Sequence, residues 1–242
     1  MNVLGVILAR AGSEGLKNKH LLPLLGKPVI SYTFERAKAA GMLGKVVVSS
    51  DSPEILRLAA HEGFDTIVRP AVLATADASV QDVMLHVMEQ TESRTGFRAD
   101  ALVVLYGNVP VRPQGAINRA VRMLMETGCD SVRSFCPVGK WHPAWMAQLA
   151  GDRVLPLQSG SIHRRQDLTP LFLHDGAVVA VSRESMLRGK TAPTDPHAFF
   201  GADRRGFETD AGQTVEIDTL RDFFWAEACL RSAHPDAMRI AS

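Results

Sequence analysis

Cysteine, long apolar runs and an excess of one charge are all scarce in this 242-residue sequence. Its three cysteines, Cys129, Cys136 and Cys229, are odd in number and form no Cys-x-x-Cys pair, so neither a disulfide framework nor a zinc site is expected. The longest apolar runs, such as residues 101–105, have the length of a strand and not of a membrane-spanning helix. Lys and Arg (27) nearly balance Asp and Glu (26), which argues against a nucleic-acid or membrane surface.

The remaining composition is that of a globular protein. Hydrophobic residues make up 46% of the chain and charged residues 22%, which is enough apolar material for a substantial core. The N-terminus enters a strand-like run directly, without a basic segment followed by a long apolar one. We therefore expect one domain over residues 1–242 in the cytoplasm, without a signal peptide.

Strand and helix patterns alternate along the chain. Apolar runs predict strands, and N-caps, N1 prolines and terminal glycines mark the helices between them. This order predicts a mostly parallel sheet with helices on both faces. An irregular stretch at about residues 136–164 predicts an insertion or small subdomain, and residues 189–212 are a polar stretch rich in Gly, Pro and Asp. The predicted strands are 3–8, 45–49, 66–68, 101–106, 131–135, 176–181 and 214–217, and the predicted helices begin near Pro28, Pro53, Val80, Gln114 and Leu220.

The loop after the first strand carries the strongest chemical signal. It contains glycines and basic residues, so its backbone amides can approach a phosphate chain that Arg10 and Lys19 would neutralise. Neither the GxGxxG fingerprint nor the GxxxxGK[ST] motif is present. An ordinary strand-to-helix connection with solvated basic side chains is the alternative.

Two carboxylates near the C-terminus form a second signal. Glu216 and Asp218 are two residues apart on a predicted strand, so they share one face. Paired carboxylates suit Mg²⁺, which prefers oxygen ligands and keeps several waters. A solvated acidic edge strand is equally compatible with the spacing.

Several short strings, in order along nearly the whole chain, resemble the acylneuraminate cytidylyltransferase (CMP-sialic acid synthetase) family. The most specific is LARAGSEGLKNKH at residues 8–20. The others are LGKP at 25–28, SD at 50–51, RPAVLA at 69–74, DAS at 77–79, RQDL at 165–168, DGA at 175–177 and VEIDT at 215–219.

The resemblance implies a Rossmann-like nucleotidyltransferase fold and a homodimer, in which the insertion at about 136–164 would be the dimerisation arm. It implies Mg²⁺-dependent transfer of CMP from CTP to the anomeric hydroxyl of a nonulosonic 2-keto acid sugar, with release of pyrophosphate. Catalytic roles would fall to Arg10, Lys19 and Asp218, with Asp218 and Glu216 as metal ligands. The implied nucleotide contacts are Ala9, Arg10, Gly12, Ser13, Lys19, His20, Arg69, Ala78 and Ser79.

The implied contacts with the acidic acceptor sugar are Tyr106, Asn108, Arg165, Gln166 and Asp175. The family commonly has Gln at the place of Tyr106 and Asn at the place of Asp175, so we expect a sugar other than ordinary N-acetylneuraminate. His20 replaces the usual Asn beside the nucleoside, which leaves open a GTP-using sugar nucleotidyltransferase. Glu14 replaces a usual Lys in the phosphate loop, which leaves open a non-catalytic nucleotide-sugar-binding protein.

Overall fold

The computed structural model describes residues 1–12, 15–158, 160, 162–192 and 194–232. Its central element is a seven-stranded sheet, and two short hairpins accompany it. The strands are β1 Val3–Leu8, β2 Pro23–Leu24, β3 Lys27–Pro28, β4 Lys45–Ser50, β5 Asp65–Val68, β6 Ala101–Tyr106, β7 Ser131–Pro137, β8 Ala147–Ala150, β9 Arg153–Pro156, β10 Phe172–Ser182 and β11 Arg204–Glu208. The helices are α1 Val29–Lys38, α2 Pro53–His61, α3 Val80–Thr95, α4 Ala116–Thr127, α5 Arg183–Gly189 and α6 Leu220–Ser232.

The sheet has the strand order β11-β7-β10-β6-β1-β4-β5. β1 pairs in parallel with β4 and β6, β4 with β5, and β7 with β11. β10 is antiparallel to both of its neighbours, β6 and β7. The prediction of a mostly parallel α/β sheet is therefore confirmed.

Helices cover both faces of the sheet, as the pattern predicted. Residues of α1, α2 and α4 pack on one face around Ile7 and Val103. Residues of α3 and α5 pack on the other face around Leu4 and Val104. Because β1 and β6 are covered on both sides, their sequences are continuous apolar runs without alternation.

Local hydrogen bonds explain where several helices begin. The Ser52 hydroxyl accepts a hydrogen bond from the Ile55 amide, and Ser79 accepts one from Asp82, so both serines are N-caps as predicted. At α6, the Asp222 carboxylate accepts hydrogen bonds from the amide and hydroxyl of Thr219. This pairing is the predicted capping box.

Two predictions about regular structure are wrong, and one strand was not predicted. Residues 214–217 form no strand, since the segment makes a single antiparallel bridge between Val215 and Val111. The polar stretch at 189–212 contains the edge strand β11, whose Arg- and Gly-rich sequence lacks an apolar pattern because only Phe207 is buried. Pro28 occupies the N-cap of α1 and not its first helical position.

The predicted insertion leaves the sheet after β7 and returns at β10. The first residues of β10 pair with the end of β7, with Phe172 opposite Pro137. Between these strands, β8 and β9 form an exposed antiparallel hairpin. Several large apolar side chains on this arm are exposed, among them Trp141 at 69%, Leu149 at 76% and Val154 at 63%. No helix in the described ranges is long and apolar enough to cross a membrane.

Candidate active site

A cavity of about 360 Å³ opens at the carboxyl ends of the parallel strands β1 and β6. This edge is where open α/β sheets bind ligands, because the strands end there and their loops diverge. The cavity combines basic, acidic and apolar side chains. Its lining residues are Leu8, Arg10, Gly15, Lys19, His20, Arg69, Leu73, Thr75, Ala76, Ala78, Val80, Val83, Tyr106, Asn108, Glu216 and Asp218.

The loop after β1 is held at two points. The Ala11 amide donates a hydrogen bond of 2.8 Å to the Asp51 carboxylate, which follows β4. Further along, Gly15 lies so close to the Asp218 backbone that an added Cβ atom would meet the carbonyl oxygen at 2.5 Å. The glycine at position 15 is therefore required for close packing, and the loop lies against the acidic segment.

The acidic wall of the cavity is organised by Asn108. Its Nδ2 donates hydrogen bonds to Glu216 Oε1 at 3.1 Å and to the Ile217 carbonyl at 3.0 Å, and it lies 3.4 Å from Asp218 Oδ1. The Ile217 amide in turn donates to the Asn108 carbonyl at 2.8 Å. Both carboxylates therefore face the Asn108 amide. Their separation of two residues predicted that they share one face, and they do so although the segment is not a strand.

Lys19 joins the basic loop to this acidic wall. Its ammonium forms an ion pair with the Asp218 carboxylate. The lysine side chain is 14% exposed and the aspartate side chain 60% exposed, so the pair lies at the mouth of the cavity. Arg10, Lys19 and Asp218, which the sequence placed in one site, are thus brought together.

Glu216 and Asp218 are the side chains that could hold a divalent cation. Within the described parts of the chain, no three or more His, Cys, Asp or Glu side chains group around a common point. Two carboxylates nevertheless match the way proteins bind Mg²⁺, which takes one or two carboxylates and completes its shell with phosphate oxygens and waters. The donor set therefore fits Mg²⁺ that arrives with a nucleotide.

His20 and Arg69 form a buried polar part of the cavity, being 4% and 7% exposed. The Arg69 guanidinium donates to the Ser49 carbonyl at 2.9 Å and to the Ser49 hydroxyl at 3.3 Å. Burial, followed by the charges of Lys19 and Arg69, lowers the pKa of His20 to about 3. His20 is therefore a neutral imidazole, which can donate and accept hydrogen bonds but adds no charge.

Tyr106 ends β6 inside the cavity. Burial and the nearby Glu216 carboxylate raise the pKa of Tyr106 to about 12, so its hydroxyl keeps its proton and can donate a hydrogen bond. The next residue, Gly107, lies close to His20, since an added Cβ atom would lie 3.0 Å from the His20 ring. This close turn directs Asn108 back towards the acidic wall.

Other predicted nucleotide contacts lie elsewhere or lack a cavity-facing side chain. Ala9 is buried beneath the cavity, with its amide bonded to the Ser49 carbonyl. Gly12 is exposed and does not line the cavity. Ser79 lines an adjacent depression, which Ala78 shares, and its hydroxyl caps α3. Ser13 lies outside the described residues.

The predicted sugar contacts separate into three places. Tyr106 and Asn108 line the main cavity. Arg165 and Gln166 line a different cavity on the arm, beside His142. Asp175 lines neither, so within one chain the structure does not assemble all five residues.

Asp175 is engaged within the protein. Its carboxylate accepts hydrogen bonds from the hydroxyls of Ser134, Thr209 and Thr214 and from the Ala177 amide. Burial opposes ionisation, but these hydrogen bonds outweigh it and lower the pKa of Asp175. The charged carboxylate ties β7 and β10 to the segment that leads to Glu216, a link that the resemblance did not indicate.

The neutral His20 makes stability depend on pH. Unfolding exposes a group that ordinarily titrates near 6.5, so the unfolded state binds a proton that the folded state refuses down to about pH 3. The contribution of the neutral His20 to the free energy of unfolding is therefore fully present above pH 6.5 and declines as the pH falls from 6.5 towards 3. Between pH 7 and pH 5, we expect the free energy of unfolding of the wild type to fall by about 2 kcal/mol relative to that of His20→Asn.

Urea unfolding at pH 7, 6 and 5 measures this change. His61→Asn, at an exposed histidine of α2, is the control and should leave the pH dependence of the free energy of unfolding unaltered. Parallel pH profiles for wild type and His20→Asn would contradict the buried neutral imidazole.

Comparison with known proteins connects this site to one family. A family model described as cytidylyltransferase matches residues 4–183. The N-acylneuraminate cytidylyltransferase of Streptococcus agalactiae is 30% identical over 227 residues, which are 92% of this chain and 52% of that protein. The chain thus spans about half the length of that relative. The pseudaminic acid cytidylyltransferase of Campylobacter jejuni is 26% identical over 98% of this chain and 100% of its own length.

A solved structure shares the fold. CMP:2-keto-3-deoxy-manno-octonic acid synthetase, solved in complex with CTP, superposes with a TM-score of 0.75 at 20% identity, covering 97% of this chain and all of that one. At this identity the likeness concerns the fold. The family match extends from β1 to the start of α5 and includes the loop after β1, Arg69 and Tyr106. The chain belongs to the cytidylyltransferase family.

Proposed function

We propose that this protein is a Mg²⁺-dependent cytidylyltransferase that transfers CMP from CTP to the anomeric hydroxyl of a sialic-acid-like (nonulosonic) 2-keto acid sugar. The observation that carries the proposal is the meeting of Arg10 and Lys19 with Asp218 and Glu216 around one cavity at the carboxyl edge of the sheet. Relatives named for N-acylneuraminate, legionaminic and pseudaminic acid support the acceptor class.

In this reaction the sugar hydroxyl oxygen forms a bond to the α-phosphorus of CTP. The bond from that phosphorus to the bridging oxygen breaks, pyrophosphate leaves with the electron pair, and the hydroxyl proton passes to solvent. Such transfer requires positioning of the reactants and stabilisation of charge on the phosphate oxygens. Arg10, Lys19 and the loop amides would bind the triphosphate. A phosphate oxygen would then replace the Asp218 carboxylate as the partner of Lys19.

The metal would be held by Asp218 and Glu216. Bound there, Mg²⁺ supplies positive charge to the phosphate oxygens. Asn108 keeps the two carboxylates on one side of the segment, so they can act together. Arg69 and the Ala78 region, with the neutral His20, would surround the nucleoside at the apolar end of the cavity.

The acceptor site would be completed by a second copy of the chain. Arg165 and Gln166 lie on the exposed arm, away from the cavity that holds Tyr106 and Asn108. The arm also exposes large apolar side chains, which a homodimer would bury. The arm of one subunit would then bring Arg165 and Gln166 to the cavity of its partner.

An assay of pyrophosphate release tests the proposed function and the choice of base. With Mg²⁺ and CTP, we expect release with at least one of N-acetylneuraminate, N,N'-diacetyllegionaminate and pseudaminate, and none without a sugar.

Thermal shifts with CTP and GTP identify the base, because a ligand that binds only the native state raises the Tm. Stabilisation by GTP alone would replace cytidine with guanosine. Binding of CTP without release from any sugar would instead favour a non-catalytic binding protein.

Asp218→Asn tests the proposed metal ligand. The substitution keeps the size of the side chain but removes its charge, so we expect turnover to fall about 100-fold or more with the Tm nearly unchanged. Turnover as a function of Mg²⁺ concentration should also shift to higher concentrations. Asp210→Asn, at an exposed carboxylate of the preceding loop, is the matched control. Wild-type turnover in Asp218→Asn would remove Asp218 from the metal site.

A mixed dimer tests whether the arm serves the partner's cavity. Asp218→Asn and Arg165→Ala chains carrying different tags are co-expressed, and the mixed dimer is purified through both tags. We expect each variant alone to be nearly inactive and the mixed dimer to recover about half of wild-type turnover, because one of its two sites combines intact Asp218 with intact Arg165. A mixed dimer that is no more active than its parents would show that each arm serves its own chain.

A further inference from the structure

Arg133 lies on the same sheet face as Tyr106, which lines the candidate active-site cavity, while Arg133 itself is not among the lining residues. β10 runs between β6 and β7, and its residue Val179 is paired with Val104 on one side and with Arg133 on the other. Directly opposed residues share a sheet face, so these three side chains form a row. Tyr106 lies two residues beyond Val104 on that same face, towards the carboxyl end where the cavity opens.

Strand β10, next to β6, stops pairing with it before Tyr106 is reached. The pairing of β10 with β6 ends at Val179 and Val104, and the register of β10 shifts between His174 and Val179. Gly176, with φ of 77°, lies within this bulge. Bulges of this kind redirect side chains and end strand pairing next to active sites. The bulge leaves the end of β6 without a β10 partner on this side.

The Arg133 guanidinium stacks on two aromatic rings, and its Nε lacks a polar partner among the residues that the structure describes. It lies over the ring of Phe200 at 4.3 Å from the centroid and over that of Phe135 at 5.1 Å. Its Nε is buried without a hydrogen-bond partner, and no ion pair joins Arg133 to a carboxylate among the residues that the structure describes. Burial and the neighbouring Arg204 lower the pKa of Arg133, while Tyr106 acts in the opposite direction.

An arrangement of this kind is costly without a ligand. A buried donor without a partner is destabilising, and here the unpaired donor is the Nε of a charged group. Aromatic rings fix the guanidinium plane, but they supply no oxygen acceptor. The position therefore suits a substrate oxygen that enters beside Tyr106.

We propose that Arg133 is a specificity-determining contact for the acceptor sugar. Together with the Tyr106 hydroxyl, its guanidinium donates hydrogen bonds to an oxygen acceptor of that sugar. Two groups of an acidic amino sugar offer this chemistry, the carboxylate and the carbonyl of an acylamino substituent. The proposal rests on the proposed function, and it adds a contact from within the same chain to those from the partner's arm.

Steady-state kinetics of Arg133→Gln tests this contact, using whichever acceptor of the sugar panel the wild type converts best. We expect the KM for the sugar to rise about tenfold or more, because a hydrogen bond to a charged donor is lost. The KM for CTP and the Tm should stay close to wild type. Arg133→Lys, which keeps the charge, should recover part of the affinity for the sugar. Arg204→Gln removes the neighbouring exposed arginine, 5.9 Å from the Phe200 ring, and should change none of these values.

Sugar analogues identify the oxygen. The methyl ester of the acceptor tests the carboxylate, and the de-N-acylated sugar tests the amide carbonyl. The analogue that lacks the true partner of Arg133 should bind wild type and Arg133→Gln equally, whereas the other should still distinguish them. An unchanged KM for the sugar in Arg133→Gln would overturn the proposal, as would parallel losses of CTP affinity and Tm, which indicate a structural role. If the wild type converts no sugar at all, the proposed function itself fails, and this outcome is separate from any effect of Arg133.

Discussion

The hydrogen bonds of the Asn108 side chain are the constraint on which the candidate active site depends. One amide group holds Glu216, Ile217 and Asp218 against the turn that follows β6. The acidic segment is not a strand, and its main chain is held by two backbone hydrogen bonds, from Val215 to Val111 and from Ile217 to Asn108, so its carboxylates depend on the Asn108 side chain for their orientation. Without Asn108, two neighbouring carboxylates would repel each other and turn towards solvent. The amide donates to both sides without adding a charge of its own.

The basic loop after β1 already has partners within the chain. Lys19 is paired with Asp218, and the loop after β1 is tethered to Asp51 through the Ala11 amide. In the proposed reaction, the phosphates of CTP would replace Asp218 as the partner of Lys19, and Asp218 would be free to hold Mg²⁺. Both side chains would then keep a partner of opposite charge. Gly15 allows the loop to lie directly against the Asp218 backbone, which keeps the basic and acidic side chains close together.

The residues that sequence patterns identified differ from those they missed in one physical respect. Arg10, Lys19, Glu216 and Asp218 are chemically distinctive and occur in characteristic local spacings, so the loop and the acidic pair were predictable. Arg133 follows an ordinary strand pattern, and its importance depends on Phe200, Tyr106 and a bulge far away in the chain. Asp175 was predicted as a sugar contact, but the three hydroxyls that occupy its carboxylate come from distant positions 134, 209 and 214.

By itself, the sequence determined the alternation of helices and strands, the helix caps at Ser52 and Ser79, the capping box of Thr219 and Asp222, and the mostly parallel sheet, because these follow from apolar periodicity and from hydrogen bonds within a few residues. Only the tertiary structure decided that β10 runs antiparallel, that β11 forms an edge, and that residues 214–217 remain outside any strand. Strand direction and pairing are set by neighbours far apart in the chain, and no local pattern records them. The same holds for the cavity, since its cations and carboxylates come from opposite ends of the chain and meet only when the sheet places β1 beside β6.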